Sequence, residues 1–143
     1  MSNKIIDGKL ISSEIREKVK KFGDQLKSKT GKVPGLAVVL VGENPASRVY
    51  VKNKIEKTIE VGFNSIEHKL SEKVSENELI DLVDKLNNDE NVQGILVQLP
   101  LPEHVNSDKI LDSIKTYPVN RVLDFKLGRF FERSSDAFWR RKT

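Results

Sequence analysis

The chain contains no cysteine and only two histidines among its 143 residues. Disulfides, thiolate metal centres and cysteine nucleophiles are therefore excluded. His68 and His104 alone leave little for a histidine-built metal site or a Ser–His pair, so no metal is expected. Long apolar runs are missing too. The unbroken stretch Leu36-Ala37-Val38-Val39-Leu40-Val41 falls far short of a membrane span, and the N-terminal residues lack a signal peptide's apolar segment. A cytoplasmic protein with no membrane partner is the expectation. Aromatic residues are few, at 6%, and five of them (Phe125, Phe130, Phe131, Phe138 and Trp139) crowd into residues 121–143.

What is present describes one soluble α/β unit. Charged residues make up 32% of the chain and the net charge is +4, but the excess is local. Residues 1–120 hold 18 Lys and Arg against 18 Asp and Glu, so residues 121–143 carry all of it. A charge-balanced body supplies no general field for steering polyanions, which argues against nucleic acid as the main partner.

Ile11, Ile15, Val19, Phe22 and Leu26 recur at steps of three and four, predicting an amphipathic first helix that exits at Gly31 and Pro34. Residues 36–41 read as a strand covered on both faces. Pro45 and Ser47 open a second helix, with Ser47 as the expected N-cap and Gly62 as its C′ residue. Val51, Ile55 and Ile59 are expected to face the sheet from it. Phe63 to Lys69 reads as a shorter, more polar strand near an edge. Ser75 and Glu78 form a capping box before a third helix that ends at Asn87-Asn88-Asp89. Gly94 to Leu99 is the next buried strand, and Asn106 or Ser107 caps a short fourth helix. This alternation predicts a layered α/β domain with a mainly parallel sheet flanked by helices.

Two stretches stand out for chemistry. Tyr50 and Lys54 lie four apart, on one face of the second helix and directly after a buried strand. Gln98 ends the other apolar strand, ahead of Leu99-Pro100-Leu101-Pro102. Carboxyl ends of neighbouring parallel strands open onto one crevice, so the two stretches can meet there. A lysine serves proton exchange near neutrality when burial or a neighbouring dipole tunes it, and the Gln98 amide is such a neighbour. From spacing alone, Tyr50 and Lys54 are equally compatible with an ordinary helix surface. Gln98 is equally compatible with a strand-end residue bonding loop backbone.

Val41-Gly42, Pro45-Ala46-Ser47, Tyr50-Val51 and Lys54 resemble the signature of the bifunctional methylenetetrahydrofolate dehydrogenase/methenyltetrahydrofolate cyclohydrolases. So do Gly94-Ile95-Leu96-Val97-Gln98-Leu99-Pro100-Leu101-Pro102 and the opening Ile6-Asp7-Gly8-Lys9. The resemblance runs from residue 4 to about 118 and makes residues 1–118 the catalytic domain of that family. It implies folate bound between two domains, oxidation of 5,10-methylenetetrahydrofolate with NADP, and hydrolysis of 5,10-methenyltetrahydrofolate to the 10-formyl form. It implies that Lys54 assists proton transfer, that Tyr50 contacts the folate, and that Gln98 orients and tunes Lys54. Leu99, Pro100 and Leu101 would wall the pocket. A homodimer is compatible with the family.

The resemblance fails after Pro118. Where the family continues Lys-Asp-Val-Asp-Gly-Phe, this chain reads Asn120-Arg121-Val122-Leu123-Asp124-Phe125, with Leu123 at a folate-binding aspartate's place. Residues 1–143 contain no glycine-rich phosphate loop, so the dinucleotide-binding domain is expected to be missing. Residues 119–143 form a divergent basic, aromatic tail, and the chain reads as a fragment of impaired or no activity. Two alternatives remain open. One is a non-catalytic folate-binding or partner-binding module. The other is a nucleic-acid arm in which Arg129, Arg133, Arg140 and Arg141 meet phosphates while Phe130, Phe131 or Trp139 stack on bases.

Overall fold

The structure, a computed structural model, describes residues 6–115. The reading of residues 119–143 as a basic, aromatic arm lies outside the described residues. Seven elements follow one another: α1 (Gly8–Thr30), β1 (Gly35–Val41), α2 (Pro45–Glu60), β2 (Asn64–Leu70), α3 (Glu76–Asn87), β3 (Gly94–Val97) and α4 (Ser107–Ser113). The strands form one sheet in the order β2-β1-β3, and both pairings are parallel. The α/β architecture and parallel sheet expected from the alternation are therefore observed.

β1 is the central strand and is buried on both faces. Ala37, Val39 and Val41 pack with Leu79, Val83 and Leu86 of α3, Val97 of β3 and Ile110 of α4. Val38 and Leu40 pack on the opposite face with Val51 of α2. Ala37, Val38, Val39, Leu79, Val83 and Ile110 are wholly buried. Gly35 begins β1 where no side chain fits. A Cβ there would stand 2.0 Å from the Asn91 carbonyl oxygen, on a loop held to Gly35 by Gln93. The Gln93 Oε1 accepts the Gly35 N–H at 2.7 Å, and the Gln93 N–H returns to the Gly35 carbonyl at 2.8 Å.

Three expectations need correction. The N-cap of α2 is Asn44, whose Oδ1 accepts the Ser47 N–H at 3.0 Å; Pro45 takes the first helical turn, where its missing N–H costs nothing. Ser47 lies inside the helix and is buried. Second, Ile59 points away from the sheet and is 60% exposed, while the adjacent Thr58 is buried. Thr58 can turn inward because its Oγ1 donates to the Lys54 carbonyl at 2.8 Å, which satisfies its hydroxyl within the helix. Third, β3 is shorter and less buried than the apolar run suggested. It ends at Val97, and only Val97 is fully covered, because β3 has a single described neighbour.

α1 has the expected period but none of its residues is buried. Asp7 caps its start, accepting the Lys9 and Leu10 N–H groups at 3.0 Å. Gly31 ends it at φ 70°, as Gly62 at φ 82° follows α2. Two of its contacts with the rest of the domain are specific. Arg16 Nε bonds Glu60 Oε1 at 3.2 Å, and Gly23 lets Phe63 approach so closely that a Cβ would stand 2.5 Å from the ring. Leu10, Ile11, Ile15 and Phe22 stay between 41% and 57% exposed.

Candidate functional site

The inward stripe of α2 is Ser47, Val51, Lys54 and Thr58, at the steps of four, three and four that keep one helix face. Ser47, Val51 and Thr58 are buried and Lys54 is half-buried, so the lysine is an amphipathic member of a core-facing row. Its stem lies along the protein and its Nζ reaches the carboxyl end of β3. There it donates to Gln98 Oε1 at 2.8 Å.

Gln98 is fixed from three sides. Its backbone N–H donates to the Val39 carbonyl at 2.9 Å, extending the ladder between β1 and β3 by one residue. Its Oε1 faces the Lys54 ammonium, and its Nε2 donates to the Leu99 carbonyl at 2.6 Å. Both ends of the amide are thus committed, and the oxygen is the end turned to the lysine. The structure brings Lys54 and Gln98 together as the sequence suggested. Tyr50 lies one turn before Lys54 on α2, with 60% of its surface exposed.

The segment after Gln98 is held at its far end. The Leu99–Pro100 peptide is cis, and Leu101 packs against the α3-side core. Leu99 is half-buried and Pro100 exposed. The Val105 N–H closes a turn on the Pro102 carbonyl at 2.9 Å. His104 Nε2 lies 2.8 Å from the Val74 carbonyl, which can only accept, so that nitrogen carries the proton. Glu76, at the start of α3, accepts both the Asn106 N–H at 2.9 Å and the Lys109 ammonium. The Lys109 hydrogen bond, then the Asn106 N–H, hold its carboxyl below the ordinary glutamate range. Asn87, at the end of α3, donates to the Ser113 carbonyl and accepts the Lys115 N–H, so α4 is tied to α3 at both ends.

Asn44, Thr58, Glu76 and His104 were not singled out as positioning groups in the sequence. Asn44-Pro45 carried a usable signal, a capping side chain followed by proline. The contacts from Glu76 and His104 span thirty residues and had none.

A groove of about 630 Å³ lies on the other flank of α2, over β1 and β2. Leu40, Pro45, Val49 and Ile55 give its apolar surface, and Arg48, Lys52, Glu56, Glu67 and Lys69 its charged rim. It includes none of Tyr50, Lys54 and Gln98.

With this geometry in place, comparison with known proteins is decisive. Residues 6–117 match the family described as tetrahydrofolate dehydrogenase/cyclohydrolase, catalytic domain. The chain belongs to that family. The bifunctional protein FolD 2 of Roseobacter denitrificans is 54% identical over 114 residues, covering 80% of this chain and 38% of that protein. The FolD protein of Streptococcus agalactiae is 48% identical over 110 residues, 77% of this chain and 39% of that one.

Among solved structures, the bifunctional FolD enzyme of Campylobacter jejuni superposes with a TM-score of 0.74 at 50% identity. That match covers 76% of this chain and 38% of that one. The Trypanosoma brucei enzyme, solved with NADP cofactor and an inhibitor, gives a TM-score of 0.75 at 30% identity, over 78% of this chain and 38% of that one. This chain therefore spans under two fifths of the length of these relatives.

Proposed function

We propose that residues 1–118 are the folate-handling catalytic domain of a methylenetetrahydrofolate dehydrogenase/methenyltetrahydrofolate cyclohydrolase. Lys54 is its proton-exchanging group, Gln98 orients it, and residues 119–143 form a divergent tail. The observation that carries this reading is the 2.8 Å bond from Lys54 Nζ to Gln98 Oε1, at the carboxyl end of β3. An amine alone on a helix surface samples many rotamers. One bonded to an amide that is itself fixed at both ends is aimed, which is what proton transfer in a bound substrate requires.

In the hydrolytic reaction, water adds to the methenyl carbon of the folate bridge. One carbon–nitrogen bond then breaks, leaving the formyl group on the other nitrogen. The water's proton must leave its oxygen and a proton must reach the departing nitrogen. Lys54 is placed to pass it, with Gln98 Oε1 holding the amine between the two events. Tyr50 offers an exposed aromatic face one turn away for the flat rings of the substrate. Leu99, Pro100 and Leu101 wall the same end of the pocket, on a segment that Glu76 and His104 keep in place. A cytoplasmic setting and folate as the small-molecule partner follow from the same reading.

The described residues do not fit NADP. A dinucleotide's phosphates are ordinarily held by free N–H groups at a helix start. Here Asn44 caps α2, with Pro45 removing a donor, and Asn106 caps α4. At α3 the Glu78 carboxylate turns back onto the Ser75 N–H, placing negative charge where a phosphate would sit. No step through NADP is derived from these residues.

The test is hydrolysis of 5,10-methenyltetrahydrofolate by the purified 143-residue chain, followed by loss of the methenyl chromophore. A rate above buffer that disappears in Lys54→Ala supports the reading. Folate binding without any Lys54-dependent hydrolysis would favour the non-catalytic binding module instead. Absence of both would overturn the site.

A further inference from the structure

The segment that leaves β3 has to cross the sheet. β3 lies on one side of β1 and β2 on the other. The Gln98 N–H is bonded to the Val39 carbonyl of β1, while His104 is bonded to Val74, four residues beyond the end of β2. Residues 98–104 therefore pass over the carboxyl end of β1 as a strap. They do so on the α3 face, where Leu101 and Val105 join Val41 in the core. α2 packs on the opposite face, so strap and helix flank the place where Lys54 Nζ meets Gln98 Oε1.

Burial of Leu101 and Val105 presses the strap onto the core, but apolar contact is non-directional and does not set which way a backbone carbonyl points. The His104 bond is directional. Between residues 100 and 105 it is the one hydrogen bond, among the described residues, that reaches outside the segment. Its acceptor is itself fixed, because the Val74 N–H closes a turn on the Ser71 carbonyl at 3.0 Å and the Val74 side chain packs on the same core.

At the near end of the strap the Leu99 carbonyl accepts the Gln98 Nε2 at 2.6 Å, which turns the amide oxygen toward Lys54. A carboxamide rotated the other way would present N–H to the ammonium, two donors with no acceptor between them. The direction of the Leu99 carbonyl thus decides whether Lys54 is held. We infer that His104 is a positioning residue for the Lys54–Gln98 pair, clasping the strap in the alignment that points the Leu99 carbonyl at Gln98 Nε2. The inference rests on the proton-exchanging role proposed for Lys54.

His104 is exposed at the far end of the strap and acts on the reaction only through Leu99 and Gln98. The clasp needs a donor at the Nε2 position and nothing else of histidine. Glutamine carries an N–H the same number of bonds from its Cα, whereas leucine fills similar space without a donor.

The test compares His104→Leu with His104→Gln in the 143-residue chain, with folding checked by circular dichroism. The first readout is hydrolysis of 5,10-methenyltetrahydrofolate. A loosened amide leaves the amine poorly aimed, so kcat should fall roughly three- to tenfold in His104→Leu, the worth of one neutral hydrogen bond, with KM little changed. His104→Gln should recover most of the loss, and Glu103→Ala, beside it on the strap, should match wild type. The second readout needs no turnover. Exchange of the Gln98 side-chain amide protons with water, followed by NMR, should speed up in His104→Leu. The Gln93 amide, bonded to the Glu90 carbonyl at 2.6 Å before the start of β3, should keep its rate.

Unchanged Gln98 exchange in His104→Leu would overturn the inference, as would an unchanged kcat in a chain that hydrolyses the folate. A raised KM at wild-type kcat overturns it too, since His104 would then only shape the pocket wall. So does equal loosening at Gln93, which would make His104 part of the general fold. If the wild-type chain shows no Lys54-dependent hydrolysis, the proposed function fails, and the Gln98 and Gln93 rates still decide whether His104 sets the amide.

Discussion

Lys54 and Gln98 are 44 positions apart in sequence and 2.8 Å apart in space, joined by an ammonium-to-amide bond at the carboxyl ends of two adjacent parallel strands. α2 brings the amine because Val51 and Thr58 bury the face on which Lys54 sits. β3 brings the amide because the Val39 carbonyl holds the Gln98 N–H. Neither placement depends on the other side chain, so the pair can be dissected by mutation without unfolding either element.

Lys54→Ala is therefore expected to lower hydrolysis of methenyltetrahydrofolate by roughly 10²-fold or more, the usual scale for loss of a general acid–base group. Gln98→Leu keeps the volume and removes only the acceptor. Losing a hydrogen bond to a charged group is worth about 1.5–3 kcal/mol, so turnover should fall roughly ten- to hundredfold if the bond persists in the transition state. Stopped-flow hydrolysis rates at saturating folate check both. Wild-type rates in Lys54→Ala would remove the lysine from the mechanism.

Acid should loosen the loop that follows Gln98. Glu76 has its carboxyl held below the ordinary glutamate range by Lys109 and by the Asn106 N–H, so its folded form prefers to be ionised. Its contribution is present above the unfolded glutamate value, about pH 4.3, and is lost as pH falls through the lower folded value. Glu76→Gln should therefore be less stable than wild type at neutral pH, and the gap should close on acidification. Urea unfolding across pH 3–7, an acidic window of about this width around the glutamate value, measures it. A gap that widens toward low pH would contradict the assignment.

Much of this arrangement was legible because it rests on local rules. Leu36 to Val41 announced the central strand by being apolar at both parities, and Ser75 with Glu78 announced the start of α3 by a reciprocal cap. Tyr50, Lys54 and Gln98 were legible through spacing and strand ends, with the family resemblance supplying their roles. Ser47, two residues after a proline, has the look of a cap, whereas Asn44 before the proline caps the helix. Ile59 fits the apolar period yet faces solvent, because periodicity counts apolarity alone. Thr58 faces inward by bonding its own helix, which no count of apolar residues reveals. The ties from Glu76 and His104 were invisible because thirty-residue contacts exist only once the sheet has folded.

Gly35→Ala should be far more damaging than Gly62→Ala. At Gly35 the added carbon meets the Asn91 carbonyl oxygen at 2.0 Å, and that backbone is fixed by both Gln93 bonds. Relief requires moving the turn before β3, so a loss of about 3 kcal/mol or more is expected. At Gly62 nothing lies within 4 Å of the added carbon, and only the left-handed φ of 82° is unfavourable, costing about 1–2 kcal/mol. Denaturant midpoints of the two variants give the order directly.

Hydrogen exchange should divide the molecule between α1 and the sheet. α1 has 23 residues and none is buried; its contacts include the Arg16–Glu60 pair and the approach of Gly23 to Phe63. Amides of β1, between two strands and under both layers, open only with the whole domain. Exchange in the 143-residue chain should thus be fast across residues 8–30 and slowest at 37–41. Arg16→Ala should speed α1 further while leaving β1 unchanged. Equal protection of the two segments would show that α1 is held by contacts beyond those two.

The 143-residue chain is expected not to reduce NADP⁺ with methylenetetrahydrofolate. Hydride transfer needs the nicotinamide held against the one-carbon bridge, and hence its phosphates bound nearby. The start of α2 is capped by Asn44 and stripped of a donor by Pro45, that of α3 carries the Glu78 carboxylate, and that of α4 is capped by Asn106. The sequence adds a second deficit, because Leu123 stands where the family's folate-binding aspartate is expected. With the nicotinamide unplaced, the developing charge on the folate meets no preorganised surroundings, and stabilisation of the transition state is weak even if folate binds. Following NADPH absorbance with both substrates present should give no rate above that of a Lys54→Ala control. Sustained reduction that vanished in Lys54→Ala or Tyr50→Phe would mean that this chain, alone or self-assembled, builds a dinucleotide site outside the helix starts described above.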